Sequence, residues 1–265
     1  MKLTVLVDNK CQQNKCLISE HGLSFLIEDG RTNLLFDCGS TDAFIKNSYD
    51  LQIDLSKVTD VILSHGHTDH IGGFPRLQAL YEQFRKSGIN FNTKKLLAHP
   101  NVFRKENPEK FEKTPFPLKN DDFDEFFKII LTVEPQYITS KLVYLGEIPI
   151  KYGKVLRDYA PDETALAYKS KKGLIIFSGC SHSGVKNIAE HAKDITGEKK
   201  INTIIGGLYL INRTEDEINE LGEYLKEQRI EHIYPCHCTD IEAKAILSNY
   251  VKIEEIATGS RFDFD

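Results

Sequence analysis

The chain has 265 residues, of which 40% are hydrophobic and 28% are charged, and its formal net charge is −5 at pH 7. This is the composition of an ordinary globular protein, and it excludes a disordered or collagen-like chain. Lysine and arginine form no long block, so we expect no nucleic-acid groove.

The N-terminal apolar stretch is too short for a signal peptide, because Asp8 closes it. No apolar run approaches the roughly 20 residues of a membrane span. We therefore expect a soluble, cytoplasmic protein that makes no membrane contact. In that compartment its six cysteines are predicted to be reduced thiols.

Apolar runs and turn residues predict the elements of the first half of the chain. Asp29 and Gly30 form a strong hairpin signal between two apolar runs. Apolar residues at 77, 80, 81 and 84 share one helical face, and Gly88 ends that helix. The predicted strands are 3–7, 23–28, 33–36, 58–63 and 95–98, and the predicted helices are 42–50 and 72–86.

Residues 101–135 differ from the rest of the first half. They are rich in charged residues, proline and phenylalanine, and no strand periodicity continues through them. The aromatic content is too high for a disordered linker. We expect an insertion that folds over the core; a lid is the functional hypothesis, and a surface insertion packed on the core is the alternative.

The second half repeats the style of the first. Thr214 and Glu217 form a capping box at the start of a helix. Alternation of strands and helices in both halves predicts α/β layers. The predicted strands are 143–146, 164–168, 174–177, 201–205 and 230–234, and the predicted helices are 185–195, 214–229 and 241–248.

Residues 65–70 read His-Gly-His-Thr-Asp-His and follow the predicted strand 58–63. Imidazole and carboxylate are common ligands of zinc and related metals. His65 and His67 are two residues apart, so their side chains fall on one side of an extended backbone. Asp69 and His70 follow a turn, before a helix that begins near residues 71–73. The spacing predicts two metal ions a few ångströms apart, as in two-metal hydrolases.

Two further histidines also follow apolar strands. His182 ends the run Gly-Cys-Ser-His, and His237 lies in Pro-Cys-His-Cys. Alone, each is compatible with a surface or core-edge histidine. With the 65–70 cluster in the same chain, we predict that both complete the metal site.

These residues carry a resemblance to a known family. Residues 65–70 match the HxHxDH signature of the metallo-β-lactamase superfamily. Residues 33–39 look like that family's early Asp-Gly strand end, and His237 falls where its last metal ligand is expected. The resemblance implies one domain over 1–265, built as a four-layer αββα sandwich with two similar halves and the site at the strand ends.

Among the branches, Gly-Cys-Ser-His-Ser-Gly and Pro-Cys-His-Cys-Thr are similar to proteins labelled 7,8-dihydropterin-6-methyl-4-(β-D-ribofuranosyl)aminobenzene-5'-phosphate synthase-like. That label implies a phosphorylated pterin-type compound.

The chain departs from the family pattern at three positions. The histidine usual before the bridging aspartate is absent from residues 158–164, and His182 is expected to supply that imidazole from another direction. Cys180 stands in the place of the bridging aspartate, either as a thiolate ligand or as a buried thiol. Tyr209 replaces a histidine found in the branch, and its hydroxyl could donate to a substrate oxygen.

Asp37 is expected to act on the metal ligands from outside. The resemblance implies that it hydrogen-bonds a ligand histidine or the 65–70 loop and fixes its orientation. The alternative is a turn residue that caps the helix after Ser40, and both roles are compatible.

The functional prediction is a hydrolase that uses a metal-activated hydroxide, with a phosphorylated small molecule as the expected substrate. Asp69 would be a metal ligand and also carry a proton to the leaving group. Two divalent ions are expected, with zinc first and iron or manganese as alternatives. The rival functions are a synthase or transferase on a phosphorylated pterin-ribose compound and a non-catalytic metal-bearing sensor. The oligomeric state is left open.

Overall fold

The structure is a computed structural model that describes residues 1–13, 15–103, 126–153 and 161–264. The chain divides into two compact units. The first unit is Met1–Val133 with Ala257–Phe264, and the second is Glu134–Ile256. Each unit contains one β-sheet and its own helices, so the predicted mixed α/β fold with two sheets is confirmed.

The first unit contains a seven-stranded sheet in the order β13-β1-β2-β3-β4-β5-β6. Its first strands pair antiparallel, whereas β3, β4, β5 and β6 pair parallel. The strands are β1 Lys2–Val7, β2 Ser24–Asp29, β3 Thr32–Phe36, β4 Asp60–Leu63, β5 Lys94–Ala98, β6 Phe127–Leu131 and β13 Arg261–Asp263, and the helices are α1 Ala43–Asp50, α2 Thr68–Ile71 and α3 Phe74–Lys86, with a 3₁₀ turn at Leu55–Lys57.

The core of the first unit forms where α3 packs on the sheet. Phe74, Leu77 and Tyr81 recur at helical spacing and are all buried. The Phe74 ring centroid lies 5.1 Å from that of Phe127, on β6. Pro75 stands in the first turn of α3, where its missing N–H costs no helical hydrogen bond.

The second unit contains a six-stranded sheet in the order β12-β11-β10-β9-β8-β7. Here β10, β11 and β12 pair parallel, and the other pairs are antiparallel. The strands are β7 Gln136–Tyr137, β8 Leu142–Tyr144, β9 Ala165–Ser170, β10 Gly173–Ser178, β11 Ile201–Gly207 and β12 His232–Cys236, and the helices are α4 Val185–Thr196, α5 Glu215–Glu227 and α6 Ile241–Leu247.

Local signals fix the ends of two helices in the second unit. Thr214 Oγ1 accepts from the Glu217 N–H, and the Glu217 carboxylate accepts from the Thr214 N–H, which is the predicted capping box. Gly197 ends α4 in the left-handed conformation at a φ of 73°. Both helices therefore begin or end at residues that satisfy their terminal backbone groups.

The register of the parallel strands decides where the candidate site residues lie. In the first unit Phe36 of β3 pairs with Ile62 of β4, so both strands end at one edge of the sheet. In the second unit Ser178 pairs with Gly206 and Gly207 pairs with Cys236, so β10, β11 and β12 also end together. The carboxyl edge of parallel strands is where α/β sheets place ligands.

Three sequence expectations are wrong. Phe127–Leu131 forms β6, because the neighbouring strand β5 supplies its hydrogen bonds, although the sequence shows no strand periodicity there. Asp69 and His70, expected in a turn before the helix 72–86, lie in a separate one-turn helix, α2, and the expected helix follows as α3. Asp37 does not cap α1, whose N-cap residue is Asp42. Residues 104–125 of the predicted insertion lie outside the described residues.

Within the described ranges, no helix has both the length and the apolar character needed to cross a membrane. All six cysteines are free thiols. Four of them are buried, among them Cys180 and Cys238 in the second unit.

Candidate metal centre

The histidine-rich loop of the first unit begins directly after β4. His65 lies two residues beyond the end of β4, His67 is the N-cap residue of α2, and Asp69 and His70 lie within that one-turn helix. His65 and His70 are fully buried. His65 Nε2 lies 3.1 Å from His67 Nδ1, and the His65 and His70 ring centroids are 4.2 Å apart. The loop thus brings three imidazoles together, as a metal with nitrogen ligands requires.

Asp37 connects the end of β3 to this loop. It is fully buried and has a φ of 60°, in the left-handed region that aspartate tolerates better than most residues. Its Oδ1 accepts from the Ser64 N–H at 2.7 Å, and its Oδ2 accepts from the Ser64 hydroxyl at 2.7 Å. The same Oδ2 lies 2.7 Å from His70 Nδ1. One buried carboxylate therefore holds both sides of the loop.

The Asp37 network fixes the tautomers of two histidines. The Ser64 hydroxyl gives its single hydrogen to Asp37, so it accepts from His65 Nδ1, which lies 2.9 Å away. His70 Nδ1 likewise donates to Asp37. In both rings the hydrogen is on Nδ1, and Nε2 presents a lone pair. Carboxylate-oriented imidazoles of this kind are characteristic of metal sites.

Asp69 lies at the edge of the cluster and is partly exposed. Its Oδ2 is 3.2 Å from His21 Nε2 and 3.8 Å from His70 Nε2. Its backbone carbonyl accepts from the Leu23 N–H at 3.2 Å, which ties α2 to the start of β2. A carboxylate between two imidazoles can bind a cation or hold a proton.

The second unit gathers three buried ligand atoms at its own sheet edge. Cys180 follows β10, and His237 and Cys238 follow β12. Their ligand atoms all lie within 4.8 Å of one another. Burial alone would raise the pKa of the Cys238 thiol, but the hydrogen bond with Cys180 and the neighbouring His237 lower it overall. The trio is a second candidate ligand cluster.

His182 is buried, and its turn is held by Glu163. The Glu163 carboxylate accepts from the backbone N–H of His182 at 2.7 Å and from that of Ser183 at 2.6 Å. Burial raises the pKa of Glu163 to about 7, although these two backbone donors and the Ser183 side chain oppose the rise. The His182 ring centroid lies 4.2 Å from that of Tyr209. Glu163 therefore positions the backbone that carries His182.

Tyr209 also lies at a cavity of about 450 Å³ within the second unit. Two cations line it: Arg213, whose guanidinium carbon is 4.8 Å from the Tyr209 ring, and Lys186, whose Nζ is 4.7 Å from the Tyr152 ring. The Arg213 guanidinium is also 3.7 Å from Glu217. Cations beside aromatic faces suit a ligand with an anionic group and a ring.

Sequence reasoning overlooked three residues of these clusters. His21 stands in an unremarkable turn, and only the fold brings it to Asp69. Glu163 precedes β9 without any motif. Cys238 had a signal, since Cys-His-Cys after a strand has ligand spacing, but the sequence argument used only His237.

The donor atoms fit a divalent transition metal. The first unit offers imidazole nitrogens and a carboxylate, and the second offers thiol sulfurs and an imidazole. Imidazole suits zinc and iron, sulfur favours thiophilic ions, and sites of oxygen alone suit magnesium or calcium.

Comparison with known proteins adds family information. A profile described as metallo-beta-lactamase superfamily matches residues 19–83. A relative from Methanocaldococcus jannaschii, named 7,8-dihydropterin-6-methyl-4-(beta-D-ribofuranosyl)-aminobenzene-5'-phosphate synthase, is 30% identical over 92% of this chain and 89% of its own length. The identity thus extends over nearly all of both proteins.

Two solved structures are similar as well. Tm1679, described as a metal-dependent hydrolase of the beta-lactamase superfamily, has a TM-score of 0.81 and 28% identity over 99% of this chain and 98% of its own. The metallo-beta-lactamase fold protein YhfI from Bacillus subtilis has a TM-score of 0.63 and 16% identity over 98% of each chain, a likeness of fold alone. With the HxHxDH loop in place after β4 and full-length similarity to these proteins, the chain belongs to the metallo-β-lactamase superfamily.

Proposed function

We propose that this protein is a hydrolase that depends on two divalent metal ions and acts on a phosphorylated small molecule. Membership of the superfamily supports metal binding. The observation that carries the proposal is the Asp37 network, which leaves Nε2 of His65 and of His70 as lone-pair donors. A buried carboxylate that orients imidazoles in this way is the arrangement that metal-ligating histidines use.

The proposed ligands are named separately for each unit. They are His65, His67, Asp69 and His70 in the first unit and His182 and His237 in the second, with Cys180 as a further candidate. When bound, the metals would supply a hydroxide nucleophile at neutral pH and neutralise charge that develops on the substrate.

Asp69 is proposed to move a proton as well as to bind metal. Its side chain is 18% exposed, so the carboxylate can contact both a bound metal and solvent. His21 Nε2, at 3.2 Å, is placed to exchange a proton with Oδ2. Asp69→Asn should therefore reduce kcat by a larger factor than it reduces the amount of bound metal. His21→Gln should shift the pH dependence of kcat.

The cavity of the second unit supports a phosphorylated substrate with an aromatic or sugar ring. Lys186 and Arg213 offer positive charge, and Tyr209 offers a ring face and a hydroxyl. Lys186→Gln should raise the KM for a phosphorylated substrate several-fold and leave the KM for the dephosphorylated analogue of that substrate unchanged. Lys199→Gln, on an exposed loop, is the matched control.

The test of hydrolysis is activity before and after metal removal. Metal-stripped protein should lose hydrolysis of p-nitrophenyl phosphate and of lactone probes, and zinc, iron or manganese should restore it. Unchanged phosphoesterase activity in the stripped protein would refute the proposal.

A synthase acting on a phosphorylated ribose-pterin compound is the second candidate. The M. jannaschii relative, 30% identical, is named as such a synthase. Turnover in ¹⁸O-water separates the two functions, because hydrolysis places solvent oxygen in the product. Product without the label, formed by joining two substrates, would favour the synthase.

A reducing compartment, such as the cytoplasm, is proposed as the site of action. The support is that all six cysteines are free, including the buried Cys180 and Cys238. Thiols at a metal site also need reducing conditions to remain ligands.

A further inference from the structure

Two thiols, not one, approach the histidine at the carboxyl edge of the second sheet. Cys180, His237 and Cys238 place one ligand atom each within 4.8 Å of the others, and all three residues are buried. Two of them follow β12 in immediate succession, and the third follows β10. Three buried donors from two strand ends form a compact set.

The Cys238 sulfur lies close to the backbone of Gly207 and Tyr209. A Cβ on Gly207 would lie 2.5 Å from Cys238 Sγ and 2.5 Å from the Gly179 carbonyl oxygen, so only glycine fits there. The Tyr209 N–H donates to Cys238 Sγ at 3.2 Å. Amide donors to sulfur favour thiolate character, as at metal sites and reactive cysteines.

His237 is held beside the two sulfurs by an uncommon backbone conformation. Its φ is 51°, in the left-handed region, and Tyr209, whose N–H donates to Cys238 Sγ, has a φ of 53°. Non-glycine residues in this region cost of order 1 kcal/mol or more and concentrate at functional sites. The backbone beside Cys180, His237 and Cys238 is therefore held in a conformation that non-glycine residues disfavour.

We propose that Cys180, His237 and Cys238 bind one thiophilic divalent cation, with Cys238 as a ligand in its own right. Two sulfurs and one imidazole nitrogen select zinc-like ions and disfavour magnesium, calcium and manganese. The proposal rests on the metal dependence proposed above, and it narrows the identity of the metal in the second unit.

The competing account is that Cys238 is a packed thiol. Its Sγ lies 3.3 Å from the Cys180 carbonyl oxygen, a distance at which a neutral S–H can donate. A neutral thiol of that kind would make no bond to a metal. The two accounts differ in whether bound metal has a sulfur ligand from Cys238.

Cobalt(II) titration of metal-stripped protein tests the proposal, because thiolate ligands give a charge-transfer band in the near ultraviolet that nitrogen and oxygen ligands do not. Wild-type protein should show the band; Cys238→Ser and Cys180→Ser should each lose about half of it, and the double variant should lose it all. Cys236→Ser, at the buried last residue of β12, is the matched control and should keep the full band.

The outcomes separate this proposal from the proposed function. A full band in Cys238→Ser, or wild-type protein that binds cobalt with visible d–d bands but no charge-transfer band, would overturn the sulfur ligands and leave metal dependence standing. Protein that binds no cobalt would overturn both. Cadmium(II) titration of the unaltered chain, read by its own sulfur charge-transfer band, tests thiolate ligation without any variant, and the cysteine variants then assign the band to Cys180 and Cys238.

Discussion

Replacing Asp37 by asparagine should convert two of the proposed metal ligands, His65 and His70, to the wrong tautomer. The amide oxygen can still accept from the Ser64 N–H, but the NH₂ group now stands where Oδ2 accepted from Ser64 and His70. His70 Nδ1 must then accept, and the Ser64 hydroxyl must turn its hydrogen toward His65 Nδ1. Both rings therefore carry their hydrogen on Nε2, the nitrogen that should face a metal.

The expected loss is a 10- to 100-fold weaker metal affinity, equal to about 1.4–2.7 kcal/mol of binding free energy. Folding should be little affected, since asparagine accepts the φ of 60° at this position. Asp37→Ala differs: it leaves the Ser64 and His70 donors buried without their acceptor, and it should cost about 3–5 kcal/mol of unfolding free energy.

Two assays follow the effect. Zinc affinity is measured by competition with a chromophoric chelator, and the histidine tautomers are read from ¹⁵N chemical shifts of the imidazole nitrogens. Asp54→Asn is the control, because it alters a carboxylate of the same unit that caps a 3₁₀ turn. Wild-type zinc affinity in Asp37→Asn, or Nδ1–H tautomers in that variant, would refute the reasoning.

Three further predictions concern stability. Burial lowers the pKa of Lys94 from 10.5 to about 8, so as the pH falls the lysine binds its proton in the unfolded chain before it does so in the folded chain. Between pH 10.5 and pH 8 the unfolding free energy of the wild type, relative to that of Lys94→Met, should therefore fall by up to about 3 kcal/mol, as measured by urea unfolding. Gly207→Ala should lose about 1–3 kcal/mol in urea unfolding and weaken the cobalt–sulfur band, because its Cβ would press on Cys238; an unchanged band would contradict the packing argument. Thr214→Ala should cost about 1 kcal/mol in thermal unfolding, and Thr214→Ser should restore most of it.

Much of the fold could be predicted because its signals are local. The apolar runs of β1 to β5 and β9 to β12 and the Thr214 capping box need only a few neighbouring residues to be recognised. The HxHxDH loop is equally local, and its family resemblance agrees with the comparisons. These features depend on spacing along the chain, which the sequence contains directly.

The remaining features depend on contacts distant in sequence. β6 and β13 are strands because β5 and β1 supply their hydrogen bonds, not because their own residues alternate. Glu163 reaches the His182 turn across 19 residues, and Cys238 meets Cys180 across 58. No local pattern marks such pairs.

The backbone conformation at the candidate site also could not be predicted from the sequence. Asp37, Ser181, Tyr209 and His237 follow parallel strands and all have positive φ. None is glycine, so propensity argues against this conformation at each of them. Surrounding contacts impose it, and those contacts exist only in the folded chain.

Metal content is the most direct test of the central claim. Protein purified anaerobically without added metal is analysed by inductively coupled plasma mass spectrometry, beside the His67→Ala and His237→Ala variants, one for each unit. The account predicts about two equivalents of transition metal in the wild type and a clear loss in each variant. Wild-type protein that retains no metal, and takes up none on dialysis against zinc, iron or manganese, would contradict it.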